Sequence, residues 1–150
     1  MRRAARAGAV ARRGRSRALS ALRLLARLPL AAEIALSCLR ARRELARAPI
    51  EQALASLRAG APAGAPRAPL AQALRLGRAT ARTLPYLPGD TRCLTRSLVL
   101  SRLLARRGID SRLVIGARTQ PAFLAHAWVE CEGVPVLDPG PDAFARLVEL

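Results

Sequence analysis

The sequence predicts an α+β domain, with N-terminal helices followed by a central cysteine-bearing helix packed on a small antiparallel sheet. Three observations carry that reading. Leucines recur at helical spacing as far as Arg107, the pattern changes after Gly108 to short, partly β-branched runs, and Gly and Pro separate those runs. Strands gathered after helices, without alternation, argue against a parallel sheet.

The elements follow in order. Residues 1–17, with Arg2, Arg3, Arg12, Arg13, Arg15 and Arg17, lack apolar periodicity and read as a flexible basic arm. Residues 18–84 form a helical region. Leu19, Leu22 and Leu25, then Ile34, Leu36 and Leu39, recur at helical spacing, with Pro29 separating two helices or opening the second. Cys38 lies on that apolar pattern. Pro49 opens a helix carrying Ile50, Leu54 and Leu57, and residues 60–69 are a Gly/Pro-rich linker. Leu70 to Leu84 is a further helix that stops at Pro85.

Residues 85–150 are the expected catalytic core. Pro88, Gly89 and Asp90 are turn chemistry before a strong helix from Thr91 to Arg107 that Gly108 closes. Leu94, Leu98, Val99, Leu100, Leu103 and Leu104 make it apolar on most sides, so it should be central. Arg112–Arg118, Ala122–Cys131 and Val134–Asp138 read as strands of an antiparallel meander.

Composition narrows the function. The chain has 150 residues and a net charge of +16, from 26 basic residues that are all Arg. A phosphate-gripping surface would mix Lys with Arg, so much of this charge is compositional. It is also uneven, +11 over residues 1–47 and +5 over 48–150, so the front third could meet an acidic partner, an anionic membrane surface or nucleic acid, or simply be solvated. Aromatics are only 3%, which argues against single-strand nucleic-acid recognition and makes each ring informative about position.

Three scattered cysteines, Cys38, Cys93 and Cys131, form neither a disulfide framework nor a CxxC metal site, so a reducing, cytoplasmic setting is expected. No apolar run approaches the roughly 18 residues of a membrane span, because Glu33 interrupts the best candidate. The acid-free first 32 residues loosely resemble a transit peptide but carry no h-region and cleavage site, so export is not expected.

Cys93 falls in the first turn of the central helix if Asp90 or Thr91 is the N-cap, where free backbone N–H groups favour a thiolate. The only histidine, His126, lies in Ala125–Glu130 and must be any nitrogen base. A three-residue loop, Cys131-Glu132-Gly133, would pair Glu130 with Val134, Trp128 with Val136 and His126 with Asp138, so that a carboxylate holds the imidazole. A two-residue loop, Glu132-Gly133, would put Asp138 opposite Ala127, facing the other way, and would remove the geometric case for its role.

Each signal has a plainer reading. A lone helical Cys is more often a buried core residue, a His beside a Trp is more often packed, and Asp138 before Pro139-Gly140 can simply begin a turn. A metal site built from Cys93, Cys131, His126 and Asp138 is the weakest alternative, since no pair has short metal-motif spacing.

The runs Cys93-Leu94-Thr95-Arg96-Ser97-Leu98, Leu103-Leu104 to Arg107-Gly108-Ile109, Val114-Ile115-Gly116 and Phe123 to Glu130 resemble the leader peptidases of lasso-peptide biosynthesis, within the transglutaminase-like, papain-related cysteine enzymes. The resemblance covers about residues 85–140. It implies Cys93 as nucleophile, His126 as base and Asp138 as orienting acid, with Arg96 and Trp128 at motif positions of unassigned role. It further implies a precursor-peptide substrate, a separate ATP-using cyclase and no cofactor. The front half offers no winged-helix leader-capturing module, so a separate leader-binding protein is expected. A transglutaminase-like acyltransferase and a non-enzymatic basic binding protein are the alternatives. The Cys93 backbone N–H is the expected oxyanion donor, with Tyr86 a candidate for the second.

Overall fold

The computed structural model describes residues 28–62, 64, 66–137 and 144–150. The expected basic arm and the leucines before residue 28 lie outside the described residues. The chain divides into two compact units, 1–33 and 34–150, and the α+β fold resides in the second.

Helix α1 spans Leu28–Leu45, with Pro29 in its first described turn. Its buried stripe is Ile34, Ser37, Cys38 and Ala41, a regular i, i+3, i+4, i+7 set, whereas Leu36 and Leu39 are exposed. Of the apolar pattern read from the sequence, Ile34 and Cys38 are buried and Leu36 and Leu39 are not: small residues let this helix sit close, and the leucines point outward. Helix α2, Ile50–Arg58, has Pro49 at its N-cap and buries Ala53, Leu54 and Leu57. The Gly/Pro segment follows as a loop, and α3, Pro69–Thr83, begins on a proline, whose missing N–H is no loss at a helix start. A single 3-10 turn, Leu84–Tyr86, ends it.

Helix α4, Cys93–Ala105, is buried from Ser97 to Ala105 without a break and packs against α2, α3 and the sheet, so the central position read from its apolar sides holds. It closes as expected at Gly108. The Ile109 N–H donates to the Leu104 carbonyl and the Gly108 N–H to that of Ala105, both at 3.0 Å, with Gly108 at φ +65°. That left-handed closure needs a residue without Cβ, and one added there would also strike the Gly64 carbonyl of the linker.

The described residues form a four-stranded antiparallel sheet in the order β3-β2-β1-β4, built from β1 (Arg112–Arg118), β2 (Leu124–Cys131), β3 (Val134–Pro135) and β4 (Ala145–Glu149). The meander prediction accounts for the first three. Strand β4 was missed, and it pairs along β1 with a register shift between Ile115 and Gly116. Arg58, whose charged form is disfavoured by burial, ties α2 to the sheet by donating to the Ser111 carbonyl at 2.8 Å.

The β2–β3 connection is corrected. Glu130 pairs with Pro135 and Cys131 with Val134, and the Val136 N–H donates to the Val129 carbonyl at 2.9 Å. The loop is therefore the two residues Glu132-Gly133, not three. Both have positive φ, +52° and +75°, as a type I′ turn requires, and that turn's twist matches the strands it joins.

Candidate active site

The helix that carries Cys93 starts in an unusual way. Its N-cap residue is Arg92, not Asp90 or Thr91 as expected, and Arg92 makes no side-chain cap bond. Cys93 is thus the first helical residue. The first internal bond runs from the Arg96 N–H to the Arg92 carbonyl at 3.0 Å, so the N–H groups of residues 93–95 precede the helical ladder and point out of its end.

The segment before the helix is held from two sides. Arg42 of α1 donates through Nε and Nη2 to the Asp90 carbonyl at 3.1 and 2.9 Å. Asp90 Oδ1 accepts the Arg92 N–H at 2.9 Å, and both carboxylate oxygens take bonds from the Arg92 guanidinium at 3.0–3.1 Å. Those Arg92 bonds hold the Asp90 carboxyl below its usual range. The guanidinium is in turn held in its charged form chiefly by Asp90, with a smaller contribution from Cys93. Gly89 sits at φ +89°, and a side chain there would run into the Arg42 guanidinium.

His126 lies on β2 opposite Gly116 of β1. Its ring stacks with Phe144 at 5.2 Å and Trp128 at 6.2 Å between centroids. The rarity of aromatic residues in the chain was thus a usable clue, since two of them gather beside the only imidazole. Gly116 makes room for them: an added Cβ would come within 2.9 Å of Phe144 and 3.0 Å of Trp128. The Trp128 indole N–H donates to Glu130 at 2.8 Å, and this buried carboxylate also takes Arg146 at 2.7 Å.

Cys93 and His126 line one cavity of about 780 Å3, whose wall includes Arg78, Asp90, Arg92, Arg96, Leu94 and Leu137. Helix start and strand meet there because α4 is pinned to β2 from within. The Ser97 hydroxyl, one turn below Cys93, donates to the Ala127 carbonyl at 3.0 Å, and both residues are buried. Sequence reasoning gave Ser97 no role, although a hydroxyl four residues from Cys93 lies one helical turn along the same face.

The other two cysteines are different in kind. Cys38 and Cys131 are each 2% exposed, and burial pushes both thiols up, which disfavours the thiolate; Cys93 is half-buried at the cavity.

Asp138 lies outside the described residues, although Val136 and Leu137 just before it line the cavity. The three-residue-loop register on which its place opposite His126 depended is not the one found. Its role now rests on the family resemblance alone. Arg96 donates to the Thr91 carbonyl at 3.2 Å, and this helps shape the helix entry. Tyr86 is 87% exposed and does not line the cavity, so nothing supports it as an oxyanion donor. Among the described residues no three His, Cys, Asp or Glu side chains gather as a metal site, and no helix is long and apolar enough to cross a membrane.

Comparison with known proteins agrees with this architecture. The family model of the transglutaminase-like superfamily matches residues 35–149. The microcin J25-processing protein McjB of Escherichia coli is 54% identical over 46 residues, which is 31% of this chain and 22% of that protein. The match thus covers little more than a fifth of that relative's length. No solved structure matches.

Proposed function

This chain belongs to the transglutaminase-like superfamily, and from that premise we propose that it is a cysteine peptidase that removes the leader from a ribosomally made lasso-peptide precursor. The observation that carries the reading is that the half-buried cysteine, at the first position of a helix without a side-chain cap, shares a cavity with the only histidine. The similarity to a microcin-processing protein supports the substrate class.

In the proposed reaction the Cys93 thiolate attacks the scissile carbonyl and forms the C–S bond. The resulting oxyanion is met by the N–H groups at the start of α4, the Cys93 N–H first among them. Protonated His126 then gives its proton to the leaving amine as the C–N bond breaks. Water adds to the thioester, loses a proton to His126 and expels the thiolate. Asp138 is assigned the task of orienting the imidazole. The three-ring stack with Trp128 and Phe144 limits how far that imidazole can swing. In this reading a separate leader-binding protein delivers the precursor and an ATP-dependent cyclase consumes the freed core.

The test is cleavage of a leader–core precursor, with and without a leader-binding protein, read by mass spectrometry. Cys93→Ala and His126→Ala should each abolish cleavage while leaving the fold intact, and Asp138→Asn should slow it. Cleavage that survives Cys93→Ala sinks the proposal. Added hydroxylamine or alkylamines separate hydrolysis from acyl transfer: a peptidase yields mainly the free acid, a transferase mainly the amide. Salt-sensitive nucleic-acid or vesicle binding with no cleavage would favour a basic binding protein.

A further inference from the structure

The cavity at Cys93 has an unbalanced charge. Among the described residues three guanidinium groups line it, from Arg78, Arg92 and Arg96, against one carboxylate, that of Asp90. The Arg92 guanidinium is taken up by both oxygens of Asp90, and Arg96 Nε is bound to the Thr91 carbonyl. Arg42 approaches Asp90 only at its backbone carbonyl. Arg78, an exposed residue on the α3 face that also presents Gly77 and Ala81 to the cavity, has no hydrogen-bond or ion-pair partner among the described residues. The rest of the wall is mostly apolar, with Leu45, Leu94, Leu124 and Leu137 among its members. A cation beside low-dielectric walls, with five donors in a planar fork, suits a carboxylate.

We infer that Arg78 is the receptor for a carboxylate of the substrate, so that the cavity selects peptides with an acidic side chain close to the bond Cys93 attacks. This rests on the peptidase reading above and adds to it a recognition rule. Among the described residues Arg78 has no counterion, and this leaves its guanidinium available to a ligand.

Two measurements on the full chain test it. The first needs no substrate: the rates at which iodoacetate, an anion, and iodoacetamide, its neutral counterpart, alkylate Cys93 at low ionic strength. The iodoacetate-to-iodoacetamide ratio should exceed that of the same thiol in the urea-unfolded chain and fall about fivefold in Arg78→Gln. Arg75→Gln, on the same helix but outside the cavity lining, should leave it near the wild-type value. An unchanged ratio in Arg78→Gln, or an equal fall in Arg75→Gln, overturns the inference. Thermal unfolding of each variant shows whether the fold is kept.

The second measurement walks a single Asp-to-Asn exchange along a precursor peptide on both sides of the cleaved bond. At one position kcat/KM should drop about tenfold for the wild type and hardly at all for Arg78→Gln. If no position discriminates, the carboxylate receptor fails even when the alkylation ratio has shifted. If no peptide is cleaved at all, the peptidase reading fails, while the alkylation ratio still decides whether Arg78 draws anions to Cys93.

Discussion

Ser97→Ala isolates the contact that joins the Cys93 helix to the His126 strand. On β2 the backbone groups of alternate residues point to the same neighbour. The Val129 carbonyl accepts from Val136 of the β3 segment, so that of Ala127, two residues back, points the same way. It lies beyond the described β3 pairing, and the Ser97 hydroxyl donates to it at 3.0 Å. Ser97 is 0% exposed and Ala127 3%, so water has little access to the carbonyl once the hydroxyl is removed. A buried acceptor left unpaired costs about 1–3 kcal/mol. Alanine recovers about 0.5 kcal/mol of helix propensity, leaving a net loss of about 1–2 kcal/mol. Urea unfolding should therefore show a lower midpoint with an unchanged slope. The alkylation rate of Cys93 and any cleavage activity should fall further than Ser101→Ala makes them fall, because Ser101 lies deeper in the same helix and its buried hydroxyl has no partner. A Ser97→Ala protein as stable as wild type would refute the idea that this bond pins α4 to β2.

Other outcomes follow from the same packing. Gly77→Ala drives a Cβ into the Val136 carbonyl, so it should destabilise by about 1–3 kcal/mol and disturb the cavity wall at residues 136–137, seen as a lower urea midpoint and altered Cys93 alkylation. Glu132→Asn should stabilise by up to about 1 kcal/mol, because Glu132 holds φ +52° at a type I′ position where Asn is favoured; a loss of stability would argue against that turn. Limiting iodoacetamide on the native protein should label Cys93 alone, and urea should expose Cys38 and Cys131 to it as well. Burial raises those two thiols, so the folded state keeps their protons when the unfolded chain has lost them. Stability should accordingly be full below the ordinary thiol range and decline as pH rises through it, and Cys38→Ala with Cys131→Ala should flatten the decline.

Much of this protein is legible in the order of its residues, because the signals concerned are local. Helical spacing marked α2, α3 and α4, the prolines marked two helix starts, and Gly108 marked an end that only a residue without Cβ can make. Cys93 and His126 could be singled out as the one cysteine at a helix start and the one histidine in the chain. What local pattern could not settle was which face of α1 is buried. Its leucines suggested one stripe, whereas close packing chose Ser37, Cys38 and Ala41. The β2–β3 loop was likewise open between two lengths, since Cys131, Glu132 and Gly133 suit either. Pairing across the sheet selected the shorter, and with it the opposite parity for Val134 and Pro135. Strand β4 is exposed along its length and has no buried alternation to read, and it exists because β1 offers it an edge. The meeting of Cys93 and His126 in one cavity, the Ser97 bond that joins their elements and the place of Arg78 on the same cavity wall all depend on contacts between residues distant in sequence. Periodicity reports which side of an element is apolar, but only tertiary packing decides what that side touches.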